Sequence, residues 1–156
     1  MNASSTEAPL WTREVTLDGL NALREGTLMA PLDIAFTEVG TDFLRATMPV
    51  DERTRQPLGL LHGGASVALA ETLGSVAAHC CLSEDRAAVG VEVNANHVRS
   101  VRSGRVTGTV RPVHVGRSTQ VWQIRIVDDE GRLVCQSRLT LAVVEDGAAD
   151  GGRSGR

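Results

Sequence analysis

Gly63 and Glu71 stand eight residues apart and frame the one stretch of this chain whose residue types suggest chemistry. Glu71 is the only formal charge between Arg55 and Glu84, set in a run of Ala, Leu, Val and Gly. A carboxylate without a cationic neighbour is costly to bury, and such groups cluster at functional sites. The alternative is a solvated helix face, which normally carries several charges; this one offers only Glu71, Ser75 and His79. Just upstream, His62-Gly63-Gly64 supplies glycines at a helix start. They let a ligand approach the backbone, and the first free N–H groups there, with the helix dipole, suit a developing oxyanion. Paired glycines alone usually make only a turn. Ahead of a buried acid they make a candidate acyl-transfer site. His62 is either an orienting donor or a residue that closes the loop. Ser75, one helical turn after Glu71 and on its face, is placed to assist water or substrate.

These residues need a long helix and something to wrap it. The segment from about Ala65 to Cys81 has no proline and mostly small or apolar residues, which predicts a buried helix. Leu69, Leu73, Val76 and Cys80 recur at helical spacing as its packed stripe, with Ala68, Glu71, Ser75 and Ala78 on the other side. Thr16 caps a shorter helix that presents Leu17, Leu20 and Leu23 on one face and stops at Gly26. The segments IAFTEVG and DFLRATMPV flank Gly40-Thr41-Asp42 and read as a hairpin. After the long helix the pattern becomes extended: AVGVEVNANHV, RVTGTVRPVHV, TQVWQIRIVDD and RLVCQSRLTLAVV. The first of these places Val89, Val91, Val93 and Ala95 on one side. Turns fall at Gly116-Arg117-Ser118 and Asp129-Glu130-Gly131, and Pro112 marks a bulge or edge position. Helix, two strands, long helix and four strands give an α+β domain whose antiparallel sheet is the only available wrapper.

At 156 residues the chain is one domain over residues 11–144, between a loose leader, 1–10, and a disordered tail, 145–156. A net charge of −3 and an aromatic content of 3% argue against a nucleic-acid partner. Cys80, Cys81 and Cys135 form neither a disulfide framework nor a zinc-ligand pattern, and read as core residues in a reducing cytosol. Glu71, two histidines and abundant Gly and Ala argue against a membrane span, and the N-terminal residues lack a signal-peptide layout. The expected location is the cytoplasm.

Three runs, RTRQPLGLLHGGASVALAETLGSVA, VGVEVNANHVRSVRSGRV and VWQIRIVDDEGRLVCQSRLT, resemble the hotdog-fold acyl-CoA thioesterases. The resemblance covers roughly residues 11–144. It points to the branch of 1,4-dihydroxy-2-naphthoyl-CoA hydrolysis in menaquinone synthesis and of enterobactin proofreading. It implies a hotdog fold and thioester hydrolysis with no cofactor or metal, coenzyme A being part of the substrate. By the same resemblance Glu71 is the catalytic carboxylate, attacking the thioester or activating water, and the Gly63 N–H polarises the thioester oxygen. His62 and Gln56 match positions that contact the acyl group or support the carbonyl site. His97 falls where the family places substrate contacts, against the commoner reading of a packed strand histidine. Coenzyme A brings phosphates that the basic run Arg99, Arg102 and Arg105 can meet, with Arg117 and Ser118 as further candidates; each is otherwise an ordinary surface residue. The rival readings are a thioesterase for acyl groups held on a carrier protein and a non-catalytic acyl-CoA-binding protein.

Along a helix, Gly63 and Glu71 lie about 12 Å apart, too far to act on one carbonyl. Two antiparallel helices about a two-fold axis would place Gly63 of one chain against Glu71 of the other, and the resemblance implies such shared sites. The expected assembly is a homodimer paired into a homotetramer. The alternative is a glycine turn that folds back and closes the gap within one chain.

Overall fold

A computed structural model of the chain describes residues 8–146. The expected leader and tail lie mostly outside the described residues. Their inner ends are tied down: the Leu10 N–H donates to the Thr41 carbonyl, the Trp11 indole to the Gly40 carbonyl, and Glu145 closes the last strand.

The elements follow the expected order: α1 (Leu17–Ala22), β1 (Ala35–Val39), β2 (Leu44–Pro49), α2 (Gly63–Cys80), β3 (Arg86–His97), β4 (Arg105–Val115), β5 (Thr119–Asp128) and β6 (Leu133–Glu145). Thr16 caps α1 by accepting the Gly19 N–H at 3.1 Å. The Asn21 amide then clamps α1 to β1, donating to the Phe36 carbonyl and accepting the Phe36 N–H at 3.0 and 2.9 Å. Of the leucine face expected on α1, only Leu20 is buried; Leu17 and Leu23 remain 38% and 46% exposed. Leu23 falls at the C-cap, past the helix, and lines the open groove between the two helices.

All six strands pair antiparallel in the order β1-β2-β4-β5-β6-β3, wrapped around α2 in the hotdog arrangement. β3 crosses from the end of α2 to the far edge, where it pairs with β6. Pro112 sits at the expected bulge, the register slipping between Pro112 and His114. β3 departs from simple alternation. Gly90 pairs with Leu141 and Glu92 with Thr140, leaving Val91 as an extra residue. Side-chain direction alternates along a strand, so one extra residue exchanges the faces. Val89 and Val91 are therefore exposed, at 48% and 66%, while Val93 and Ala95 turn partly into the core.

Helix α2 starts two residues before the expected Ala65 and packs a broader face than expected. Ser66, Leu69, Ala70, Leu73, Ala77 and Ala78 are buried, whereas Val76 is only partly so. Ala78 thus belongs to the packed side, not to the Glu71 side. Glycine sets the closeness of the packing. A Cβ on Gly74 would meet Leu139 Cδ2 at 2.5 Å, and one on Gly108 would meet Leu73 Cδ1 at 2.6 Å. Cys80 and Cys135 are buried and Cys81 half-buried, all three as free thiols. Burial, reinforced by neighbouring Cys80, pushes the Cys81 thiol up to about 12, as befits an unreactive packing residue.

Gly74→Val is expected to destabilise the fold by about 1–3 kcal/mol through overpacking against Leu139. Denaturant unfolding of Gly74→Val, Leu139→Ala and the double variant checks this: the double change should cost less than the sum, and strict additivity would refute the contact.

Candidate active site

The site begins at the first turn of α2. His62 is the N-cap, extended at φ −69° and ψ 131°, and its Nδ1 accepts the Gly64 N–H at 2.8 Å. The Ala65 and Ser66 N–H groups donate to the His62 carbonyl at 3.0 and 3.2 Å. That leaves the Gly63 N–H as the donor in this turn with no partner among the described residues. It opens an 18-residue helix, so the positive end of the helix dipole lies behind it. Of the two roles open to His62, the fold shows the structural one, closing the loop as the helix cap. Its ring lines a separate surface with Leu28, Arg53 and Ala68.

Gly63 lines a cavity of about 380 Å³ together with Gln56, Ser66, His97 and Arg99. Gln56 sits on a turn held by Gln56 N–H to Leu60 carbonyl and Leu61 N–H to Val101 carbonyl, each at 2.8 Å. The Gln56 Oε1 accepts the Leu58 N–H, so the amide NH₂ is the end left to donate. His97 reaches the cavity because of the extra residue in β3, which puts it on the helix side opposite buried Cys135. Its Nε2 lies 2.9 Å from where a Cβ on Gly63 would be, so only glycine lets the imidazole rest on the first helical turn. Asn94 and Asn96 occupy the opposite face, as alternation requires; Asn94 donates to Glu92 at 3.1 Å. Ser66 was missed in the sequence. Its signal was there: a small polar residue four after His62, on the face of the glycine turn.

Glu71 is placed differently from expectation. In the single chain it is exposed, its carboxylate lying over Gly90 of β3, where an added Cβ would come within 3.0 Å of Oε1. The sheet packs on the other side of α2, and the described neighbours of the stripe Gly64, Ala68, Glu71, Ser75 and His79 are the loop residues Leu28 and Arg53, Gly90 of β3, and α1. Ser75 faces a second cavity, of about 590 Å³, between α1 and α2. The remaining basic candidates also lie elsewhere. Arg102 Nη1 donates to the Leu58 carbonyl at 3.2 Å and the Arg102 carbonyl accepts from Arg55, bracing the Gln56 turn. Arg105 donates to Thr47 at 3.1 Å and its N–H to Asp129 at 3.0 Å. Arg117 and Ser118 form the β4–β5 turn, their carbonyls accepting from Arg86 and from the Val143 N–H. Of the expected set, then, one chain brings together Gln56, Gly63, His97 and Arg99. Glu71 and Ser75 stand apart, further along the helix.

A free N–H at a helix start can hold a developing oxyanion, and a carboxylate can attack a carbonyl or take a proton from water. Comparison with known proteins agrees with that chemistry. A family profile described as Thioesterase superfamily matches residues 58–135. The chain is 57% identical over 135 residues to the 1,4-dihydroxy-2-naphthoyl-CoA hydrolase of Escherichia coli K12, covering 86% of this chain and 99% of that protein. It is 52% identical over 135 residues to a proofreading thioesterase EntH of Cronobacter turicensis, covering 86% and 98%. The crystal structure of a thioesterase from Haemophilus influenzae superposes with a TM-score of 0.85 at 51% identity, over 87% of this chain and 95% of that one. An unpaired donor at the head of the wrapped helix, a carboxylate two turns on and these likenesses converge: the chain belongs to the thioesterase superfamily and is a thioester hydrolase of the hotdog fold.

Proposed function

We propose that the protein hydrolyses aryl-CoA thioesters of the 1,4-dihydroxy-2-naphthoyl class to the free acid and CoA, in the cytoplasm. The observation that carries the mechanism is the unpartnered Gly63 N–H at the head of α2. It receives the carbonyl oxygen as charge develops there. Glu71 either takes a proton from the water that attacks the carbonyl carbon, or attacks it to give an anhydride that water then opens. In both routes the C–S bond breaks and CoA leaves as the thiolate, which takes up a proton. A thioester is activated enough for this pair to serve without a metal. Arg99 shares the Gly63 cavity, which supports its assignment to a CoA phosphate. The name of the Escherichia coli relative supports the naphthoyl group; the Cronobacter relative is named a proofreading thioesterase, and a carrier-bound acyl group is kept as the second reading.

The same proposal makes the enzyme a homodimer with shared sites, paired into a tetramer. Gly63 and Glu71 sit about 12 Å apart along an unbroken helix, and no glycine turn folds back between them. β3 is an outer strand of 12 residues with Val89 and Val91 exposed, a template for pairing with another copy. Antiparallel pairing of β3 with itself brings the Gly90 end of one strand towards the His97 end of the other. Glu71 lies against Gly90 and Gly63 against His97, so the acid of one chain approaches the donor of its partner.

Three outcomes check the proposal. The kcat/KM over a panel of CoA thioesters should favour aryl groups over palmitoyl, and the same acyl group on a carrier protein should react more slowly; a clear palmitoyl preference refutes the substrate class. Glu71→Gln should lower turnover by about 10²–10⁴ while leaving substrate binding largely intact, and near-normal turnover in the folded variant would remove Glu71 from the mechanism. Gly63→Pro deletes the N–H at a helix position whose backbone tolerates proline, behind an extended His62, and its ring also pushes His97 off the first turn. Mixing inactive Glu71→Gln chains with inactive Gly63→Pro chains should restore up to one site per mixed dimer. No recovery despite confirmed exchange of chains would refute shared sites.

A further inference from the structure

The second cavity is the larger of the two, and its walls are mostly apolar. Val15, Leu20 and Leu23 approach from the α1 side and Val76 from α2, with Ser75 and His79 as polar groups of the helix wall. Glu71, Ser75 and His79 follow one another at intervals of four residues. They therefore form a single stripe about 12 Å long, running from the acid into this cavity. An acyl group whose carbonyl is held at Glu71 extends along the stripe, past Ser75 and towards His79.

The imidazole of His79 is held in a defined state. Its Nδ1 lies 2.9 Å from the Ser75 backbone carbonyl. A carbonyl oxygen can only accept, so Nδ1 carries the proton in that bond. In the neutral ring, Nε2 is then a bare acceptor, with no protein partner among the described residues. An acceptor in the helix wall of a mostly apolar cavity favours a ligand that brings a donor to that point.

We infer that this cavity holds the acyl group and that His79 is a specificity-determining residue, its Nε2 accepting a hydrogen bond from a hydroxyl on the acyl ring, remote from the thioester. The inference rests on the aryl-CoA reading above and adds the group that tells hydroxylated rings from bare ones. The competing role for His79 is structural, as a basic residue in the last turn of α2 that complements the helix dipole. Glu14 also lines the cavity and is its one carboxylate among the described residues; the hydroxyls of Thr16 and Ser75 are further acceptors there, and the Thr16 hydroxyl already accepts the Gly19 N–H.

The experiment is the ratio of kcat/KM for 1,4-dihydroxy-2-naphthoyl-CoA over 2-naphthoyl-CoA, in the wild type and in His79→Leu, His79→Gln and Glu14→Gln. His79→Leu should lower the ratio about tenfold, the size of one net hydrogen bond, almost wholly through the hydroxylated substrate. The rate on 2-naphthoyl-CoA serves as the measure of an intact fold. His79→Gln, whose amide oxygen accepts, should keep most of the ratio, and Glu14→Gln should leave it unchanged. An unchanged ratio in His79→Leu, an equal fall on both substrates, a loss in His79→Gln as large as in His79→Leu, or a loss in Glu14→Gln would each overturn the assignment. A wild type that cleaves other CoA thioesters but favours neither naphthoyl substrate overturns it too, while leaving the enzyme class standing. A wild type that cleaves no CoA thioester overturns the reading beneath it.

Discussion

Contact between α2 and the sheet at glycine distance is the constraint on which the other features depend. Gly74 and Gly108 leave no side chain where the helix meets Leu139 and where the sheet meets Leu73, so helix and strands close to a spacing that a larger residue would prevent. That closeness buries Leu69 and Leu73 completely, each contributing about 1.5–3 kcal/mol relative to exposure. It also fixes the rotation of the helix. With one side seated, the first turn lies beside His97 of β3 and Glu71 beside Gly90, outside the packed face.

The same seating explains why two glycines that resemble turn residues serve different ends. Gly64 gives its N–H to the cap, so it completes the helix. Gly63 keeps its N–H free and gives up its side-chain volume to the ring of His97. An alanine at either position would keep the helix but crowd an imidazole, His97 at Gly63 and His62 at Gly64, both at 2.9 Å.

Much of the fold was legible in the sequence because local rules and tertiary demands agree. The four late strands, the hairpin turn at Gly40 and the bulge at Pro112 all follow from side-chain alternation and turn chemistry. Two features were not legible. The extra residue at Val91 exchanges the faces of β3, and in sequence it shows only as one glycine within a valine-rich strand. The exposure of Glu71 was misread for a different reason. A charge-poor helix face announces that something covers it, yet composition does not say whether the cover is the same chain or another copy. Gln56 and Gly63, read as parts of the carbonyl site, and His97 and Arg99, read as substrate contacts, line one cavity, whereas Arg102 and His62 make hydrogen bonds within the turns beside it.

The separation of donor and acid along one straight helix carries a kinetic consequence. If the catalytic halves come from different chains, as proposed above, activity has a molecularity of two in protein. Below the dimer dissociation constant the rate would fall with the square of chain concentration, and apparent stability would follow the same dependence. Dilution alone would then switch the enzyme off, and a newly made chain would stay silent until it met a second.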